Sequence, residues 1–103
     1  MEDREYIIIL YDYYSDLLND KQKKDFESYY FDNLSLSEIG ENENKSRNAV
    51  HKNIKSVVSK LYNYEKILKL YQKEQKLKLI IQNINDSNLK KELEELLWKK
   101  DYQ

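Results

Sequence analysis

The side chains best suited to recognising another molecule lie in one basic ten-residue stretch. Arginine can form paired hydrogen bonds with guanine and asparagine can do so with adenine, and Arg47 and Asn48 are adjacent. Hydroxyl and basic side chains bind phosphate, which positions a protein on a duplex without reading its sequence. The candidate nucleic-acid-binding residues are Ser46, Arg47, Asn48, His51, Lys52 and Lys55.

Other chemistry is not indicated. His51 is the sole histidine and the chain has no cysteine, so the usual ligands of a protein metal site are missing. Gly40 is the sole glycine, which excludes a glycine-rich phosphate loop. Carboxylates such as Glu92, Glu94 and Glu95 are more typical of a solvated helix face than of an acid/base pair. We therefore predict a binding protein that is not an enzyme and has no metal and no cofactor.

The basic stretch is predicted to lie on the second helix of a helix-turn-helix. Ser35 and Glu38 form a capping-box pattern that starts one short helix, and the polar run 41–44 ends it. Ser46 caps the next helix. Apolar residues then recur at three- and four-residue steps, so one side of this helix is buried and the basic side stays available. That apolar stripe is formed by Ala49, Val50, Ile54, Val57, Val58 and Leu61.

The whole chain is predicted to be all-α, because it contains one glycine and no proline. Asp3 is a plausible cap for a first helix, and Asn19 with Gln22 forms a second capping-box pattern. We predict helices at about 3–18, 20–31, 36–42 and 46–62, with Phe26, Tyr29 and Tyr30 facing inward. These would make a compact core of residues 1–62.

Residues 63–103 are predicted to form a C-terminal helical extension of the same structural unit. An apolar series at heptad-like steps allows the fourth helix to continue to Tyr71, whereas Asn63 allows a bend instead. Asp86 or Ser87 would cap a last helix that carries Leu89, Leu93 and Trp98. This helix could fold back as a hairpin or pack on a second chain, and we favour a homodimer through the C-terminal helices.

The composition indicates the number of domains and the cellular location. The 103 residues suit one domain, with 40% hydrophobic residues for a modest core and 36% charged residues for a polar surface. The longest aliphatic run, residues 7–10, is far shorter than the roughly 20 residues that span a bilayer. We expect no signal peptide and no membrane association. The lack of cysteine fits a cytoplasmic protein.

Charge is distributed unevenly along the chain. Residues 1–44 hold twelve acids against four bases, whereas residues 45–83 hold ten bases against two acids. The formal net charge of −1 is therefore a cancellation. The basic segment could hold phosphates, or it could be an ordinary solvated face that the acidic half of the same fold neutralises.

Several segments resemble one known family. Asn19-x-x-Gln22, followed by YYFDNLSLSEIGENENKSRNAVHKNIK, is similar to the YlxM family, also called UPF0122. The resemblance runs from about Tyr6 to about Leu79. It implies a helix-turn-helix of the kind found in region 4 of sigma factors, in a small bacterial protein that binds DNA or has a regulatory role. Family genes tend to lie beside those of the signal recognition particle (SRP) GTPase and its receptor, which implies a role in that pathway.

The turn departs from the family pattern. Relatives usually have an apolar residue, then glycine or asparagine, then valine or isoleucine, where this chain has Glu43, Asn44 and Lys45. Burial of an unpaired charge costs several kcal/mol, so we expect Glu43 and Lys45 to be exposed and the turn to be loose.

Three hypotheses follow. The protein binds DNA through the fourth helix, or it binds the SRP RNA or GTPase without binding DNA, or it is a dimeric scaffold that has lost its DNA contacts. For the second hypothesis the chain supplies basic residues and tyrosines that could stack on unpaired bases. Those basic residues are Lys66, Lys69, Lys73, Lys76 and Lys78.

Overall fold

A computed structural model describes residues 3–97, and all the regular secondary structure of this span is helical. The predicted all-α class is therefore confirmed. The helices are α1 (Arg4–Tyr14), α2 (Asp20–Tyr30), α3 (Leu36–Glu43), α4 (Arg47–Leu68), α5 (Leu70–Gln82) and α6 (Ser87–Leu96), and a 3₁₀ turn (Ser15–Leu17) follows α1.

Side-chain caps fix where most of these helices begin. The Ser35 hydroxyl accepts the Glu38 N–H at 3.1 Å, and the Glu38 carboxylate accepts the Ser35 N–H at 2.8 Å. Asn19 and Gln22 form the same reciprocal pair at the start of α2. Asp3 and Asp86 cap α1 and α6 with one side chain each, which accepts N–H groups of the first turn. Each cap satisfies backbone donors that a helix leaves unpaired at its start.

The first helix is shorter than predicted. Its α-helical part ends at Tyr14 and not near Leu18, and the 3₁₀ turn carries Leu17 out to 54% exposure. Leu18 then adopts an extended backbone and turns its side chain into the core, where it is 6% exposed. The extended backbone of Leu18 lets Asn19 cap α2. The first helix therefore ends early because the residues that follow it form the start of α2.

The core lies where α1, α2 and α3 pack around the first four turns of α4. Tyr11, Phe26 and Tyr30 form a continuous stack, with ring centroids 4.1 Å and 4.4 Å apart at its two steps. Stacked aromatic rings add to the stabilisation that burial of apolar area provides. The buried apolar side chains are Ile7, Leu10, Tyr11, Tyr14, Leu18, Phe26, Ile39, Val50, Ile54, Val57, Val58 and Leu61.

Helix α4 runs past the predicted boundary at residue 62 and ends at Leu68. It neither bends at Asn63 nor continues unbroken to Tyr71. The break falls at Lys69, which has the left-handed backbone (φ 58°, ψ 32°) that an L-residue seldom adopts. Lysine gives no sequence signal for such a break.

One carboxylate holds the two helices together across this break. The buried Glu65 accepts the N–H of Tyr71 at 3.2 Å and the N–H of Gln72 at 3.0 Å. It also accepts the hydroxyl of Tyr14, which in turn accepts the Leu70 N–H at 3.0 Å. The first donors of α5 are therefore capped from α4 and α1.

Helices α5 and α6 pack against each other and extend the molecule to 57 × 28 × 23 Å. Only Ile81 of this pair is a deeply buried apolar residue, at 2% exposure. Several large apolar side chains remain exposed near the break and along α5, among them Ile67, Leu79 and Ile80. Trp98, predicted for the apolar side of the last helix, lies outside the described residues.

Candidate nucleic-acid interface

The turn between α3 and α4 consists of three residues, 44–46. Asn44 takes the left-handed conformation (φ 56°), which asparagine tolerates better than most residues, and Lys45 N–H donates to the Gly40 carbonyl at 2.8 Å. Gly40 is required by close approach, because a Cβ there would lie 2.5 Å from the Lys45 carbonyl oxygen. The turn is therefore tight, whereas the sequence predicted a loose one.

The expectation that Glu43 and Lys45 are exposed is wrong. Their side chains are 11% and 20% exposed, and the Lys45 ammonium lies 3.0 Å from the Glu43 carboxylate. The same ammonium lies 3.4 Å from the carboxylate of Asp25 on α2, which is fully buried. Asn53 on α4 donates its side-chain amide to Asp25 at 2.6 Å. We call Asp25, Glu43, Lys45 and Asn53 the turn cluster.

The turn cluster takes the place of the usual apolar contacts of the turn. Burial alone would raise the pKa of Asp25, but hydrogen bonding with Glu43 and Asn53 and the charge of Lys45 hold that pKa below its ordinary value. Burial would lower the pKa of Lys45, but the interaction with Glu43 and the charge of Asp25 outweigh it and raise that pKa. Both groups are therefore charged at neutral pH. The turn is held by an ion pair and is not loose.

Helix α4 has two distinct sides. Val50, Ile54 and Val57 are buried against the other helices. The six candidate binding residues are all exposed, at the cap and in the first two and a half turns. Ser46 also accepts the Ala49 N–H at 3.0 Å and so caps the helix. The recognition face, as we term it, consists of Ser46, Arg47, Asn48, His51, Lys52 and Lys55.

The described part of the acidic half does not neutralise this face by direct pairing. Within residues 3–97, none of Arg47, Lys52 and Lys55 has a carboxylate within ion-pair distance. The one basic residue near the turn that does pair with α2 is Lys45. The charges of the recognition face thus remain available to an anionic partner.

The candidate binding residues do not all line the same groove. His51 and Lys55 line a groove of about 250 Å³ with Tyr29, Tyr30 and Leu36, whereas Arg47, Asn48 and Lys52 lie outside it. The inward placement predicted for Tyr29 holds only in part, because its side chain is half-buried and reaches this groove.

The sequence alone predicts no role for Asp25 or Asn53. Their contact joins α2 to α4 across 28 positions, and neither residue stands in a local pattern that predicts it. A carboxylate in the middle of an otherwise polar helix is ordinarily exposed. The one available signal was the position of Asp25 directly before the core residue Phe26.

A short helix, a three-residue turn that begins with a left-handed residue, and a longer helix with an exposed polar face define a helix-turn-helix protein. The comparison with known families agrees. The family model described as "Putative helix-turn-helix protein, YlxM / p13 like" matches residues 1–100, and the chain belongs to this family, UPF0122.

Relatives are similar over most of their length. A UPF0122 protein of Clostridium novyi is 47% identical over 90 residues, which cover 84% of this chain and 78% of that protein. One of Malacoplasma penetrans is 42% identical over 97 residues, covering 90% and 91%. One of Fusobacterium nucleatum is 40% identical over 88 residues, covering 85% of each.

No helix within residues 3–97 is both long enough and apolar enough to cross a bilayer.

Proposed function

We propose that this protein is a regulatory DNA-binding protein that reads duplex DNA with the recognition face and acts by binding, without catalysis. The observation that supports this proposal best is that the basic residues at the start of α4 are exposed and unpaired within the described residues. A nucleic-acid partner lies in the cytoplasm of a bacterium, so we propose that location too.

In the proposed complex the N-terminal part of α4 enters the major groove. Arg47 then reaches a guanine and Asn48 an adenine, and both side chains are exposed at the first turn. Ser46, Lys52 and Lys55 contact phosphates and fix the position of the helix. His51 lies beside Lys55, in the protein groove that both residues line with Tyr29 and Tyr30. The turn cluster holds α4 at a fixed orientation relative to α2 and α3.

The test is fluorescence anisotropy with a labelled mixed-sequence duplex at several salt concentrations. Lys55→Ala should reduce the slope of log affinity against log salt by about one unit, because one phosphate contact is lost. Lys60→Ala, an exposed lysine farther along α4, is the matched control and should leave the slope unchanged. Arg47→Ala should weaken binding at a selected site by about 1–3 kcal/mol. Equal slopes for wild type and Lys55→Ala would contradict the model.

A second candidate is an SRP accessory protein that binds the SRP RNA or its GTPase. The partner comes from the family resemblance, and the supporting observation is a second set of exposed lysines, Lys66, Lys69, Lys73, Lys76 and Lys78. Binding that requires the structured RNA or the GTPase and ignores duplex DNA would favour this candidate. The third hypothesis, a scaffold without DNA contacts, rested on a loose turn, whereas Lys45 and Asp25 hold the turn.

We also propose a homodimer through the C-terminal helices. Ile67, Leu79 and Ile80 are each more than 60% exposed, which is unusual for three large apolar residues so close in sequence. Analytical ultracentrifugation of wild type and Ile80→Glu tests this proposal. A dimer that dissociates in the variant supports it, and a monomeric wild type at micromolar concentration contradicts it.

A further inference from the structure

A groove of about 690 Å³ lies at the junction of α4 and α5, away from the recognition face. Tyr6 of α1 forms one wall, the last turns of α4 form a second, and the first turns of α5 as far as Leu79 form the third. Sites for small molecules typically occupy about 300–1,000 Å³, so the groove is large enough for a nucleotide-sized ligand.

The inner surface of the groove suits a flat aromatic group. The rings of Tyr6 and Tyr71 are half-buried and meet edge to face, with centroids 5.8 Å apart. Leu79 adds an exposed apolar side chain, and Gln72 and Gln75 supply amides that can donate and accept hydrogen bonds. A planar heterocycle with polar edges matches this combination of surfaces.

The charges around the groove favour an anion. Lys66, Lys69 and Lys76 line it and are exposed. Among residues 3–97, Glu65 is the only carboxylate in its lining, and this group already accepts the N–H groups of Tyr71 and Gln72 and the hydroxyl of Tyr14. A cationic ligand would be repelled by these three ammonium groups, whereas an anionic ligand would be attracted.

The backbone at Lys69 sets where one of these cations lies. Lysine in the left-handed region costs about 1–2 kcal/mol, and the capping of α5 by Glu65 maintains that conformation here. The conformation places Lys69 at the rim of the groove, directly between the two helices.

We propose that the groove binds a nucleoside phosphate, with the base against Tyr6, Tyr71 and Leu79 and the phosphates held by Lys66, Lys69 and Lys76. The nucleoside phosphate is either a free nucleotide or an unpaired nucleotide of a single strand, since the recognised chemistry is the same. The proposal does not depend on duplex binding by the recognition face, which lies at the other end of α4.

The experiment is a titration of ¹⁵N-labelled full-length protein followed by amide chemical shifts. The probes are ATP, GTP, a single-stranded uridine hexamer, inorganic triphosphate and hexaglutamate. Lys69→Gly removes the ammonium while glycine keeps the left-handed backbone, and Lys66→Ala removes a second cation. Lys73→Ala is the control, because Lys73 lies on α5 but lines a different groove, with Tyr13 and Leu77.

We expect a nucleotide or the hexamer to shift amides around Tyr6, Tyr71 and Gln75. Lys69→Gly and Lys66→Ala should each weaken this binding about tenfold, and Lys73→Ala by less than about twofold. Binding of mononucleotides identifies a small effector as the source, and binding of the hexamer alone identifies a strand; both support the site.

Three results would overturn the proposal. One is the absence of binding by both nucleotides and the hexamer at millimolar concentration. Another is equal affinity for hexaglutamate or inorganic triphosphate, which would mean that charge alone is recognised. The third is an equal loss in Lys73→Ala. Far-ultraviolet circular dichroism of each variant establishes that the helices are intact, so a loss of binding is not a loss of fold.

Discussion

Replacement of Lys45 by methionine would leave the turn cluster without its only cation. Asp25 is fully buried, and removal of one partner from a buried ion pair costs about 3–5 kcal/mol, whereas an exposed pair contributes less than about 1 kcal/mol. The Lys45 side chain keeps 20% of its exposure and lies 3.4 Å from Asp25, so the cost should fall between these limits. We expect Lys45→Met to lower the free energy of unfolding by about 2–3 kcal/mol.

Urea denaturation monitored by circular dichroism measures this loss, and a double-mutant cycle assigns it to the pair. Asp25→Asn removes the charge and keeps the shape, so the double variant should recover part of the loss, with a coupling energy of about 1–2 kcal/mol. Lys60→Met, which removes an exposed lysine of α4, is the control and should change stability by less than about 0.5 kcal/mol. A coupling energy near zero, or equal losses in Lys45→Met and Lys60→Met, would refute the reasoning.

The response to pH gives a second test of the turn cluster. In the wild type the pKa of Asp25 is lowered by folding, so its contribution is present above the unfolded pKa near 4 and is lost as the pH falls below it. The raised pKa of Lys45 gives a contribution that is lost only as the pH rises above about 10.5. In Lys45→Met the charge of Lys45 no longer lowers the pKa of Asp25, so less opposes the burial that raises this pKa. The stability of that variant should therefore fall less than that of the wild type as the pH falls below about 4.

Three further predictions concern single contacts. Gly40→Ala should cost about 1–3 kcal/mol in urea denaturation, because its Cβ would force the Lys45 carbonyl away; a loss no larger than that of an exposed alanine substitution in α3 would contradict this. Tyr14→Phe should cost about 1–3 kcal/mol, because Glu65 loses a buried donor. Burial and the Glu65 hydrogen bond raise the pKa of Tyr14 to about 12, so wild-type stability should fall as the pH rises from 10 towards 12, and the fall should be smaller in Tyr14→Phe. Asn44→Val should cost about 1–2 kcal/mol while Asn44→Gly is nearly neutral, and equal stabilities would show that the left-handed conformation is not retained.

The parts of the fold that the sequence predicts are those with local causes. Ser35 with Glu38 and Asn19 with Gln22 are capping boxes in the structure because each pair acts within four residues. The buried stripe of α4 follows in the same way from its spacing, apart from Ala49, which is exposed at the first turn. The helix-turn-helix could therefore be predicted from residues 34–60 alone.

The parts that the sequence does not predict depend on partners far away in the chain. Lys45 is held by Asp25, twenty positions earlier, and without that contact a charged turn is expected to be exposed. The break at Lys69 depends on Glu65 and on Tyr14, which is more than fifty residues away from both ends of the junction. No local pattern encodes these contacts. The end of α4 and the tightness of the turn therefore could not be predicted from the sequence and are seen only in the structure.

Nucleic-acid binding by the recognition face remains a prediction. The structure adds the observation that the residues of this face are exposed. Amphipathic spacing predicts which side of α4 is buried, but it does not tell whether a basic residue pairs with an acid from another helix. Within residues 3–97 Lys45 does so and Lys52 does not, although both lie in the basic segment 45–83. That difference depends on where α2 places Asp25.

The capping of α5 by Glu65 has a mechanical consequence. Because the Glu65 carboxylate of α4 accepts the first N–H groups of α5, the two helices meet at a fixed angle, and the recognition face lies at the far end of α4. If two copies join through their C-terminal helices, the angle at this junction sets the distance between the two recognition faces. The number of base pairs between half-sites would then be determined at Glu65, far from any base. If that dimer reads DNA as proposed, substitutions at this junction would change the preferred spacing of its site while leaving the preferred bases unaltered.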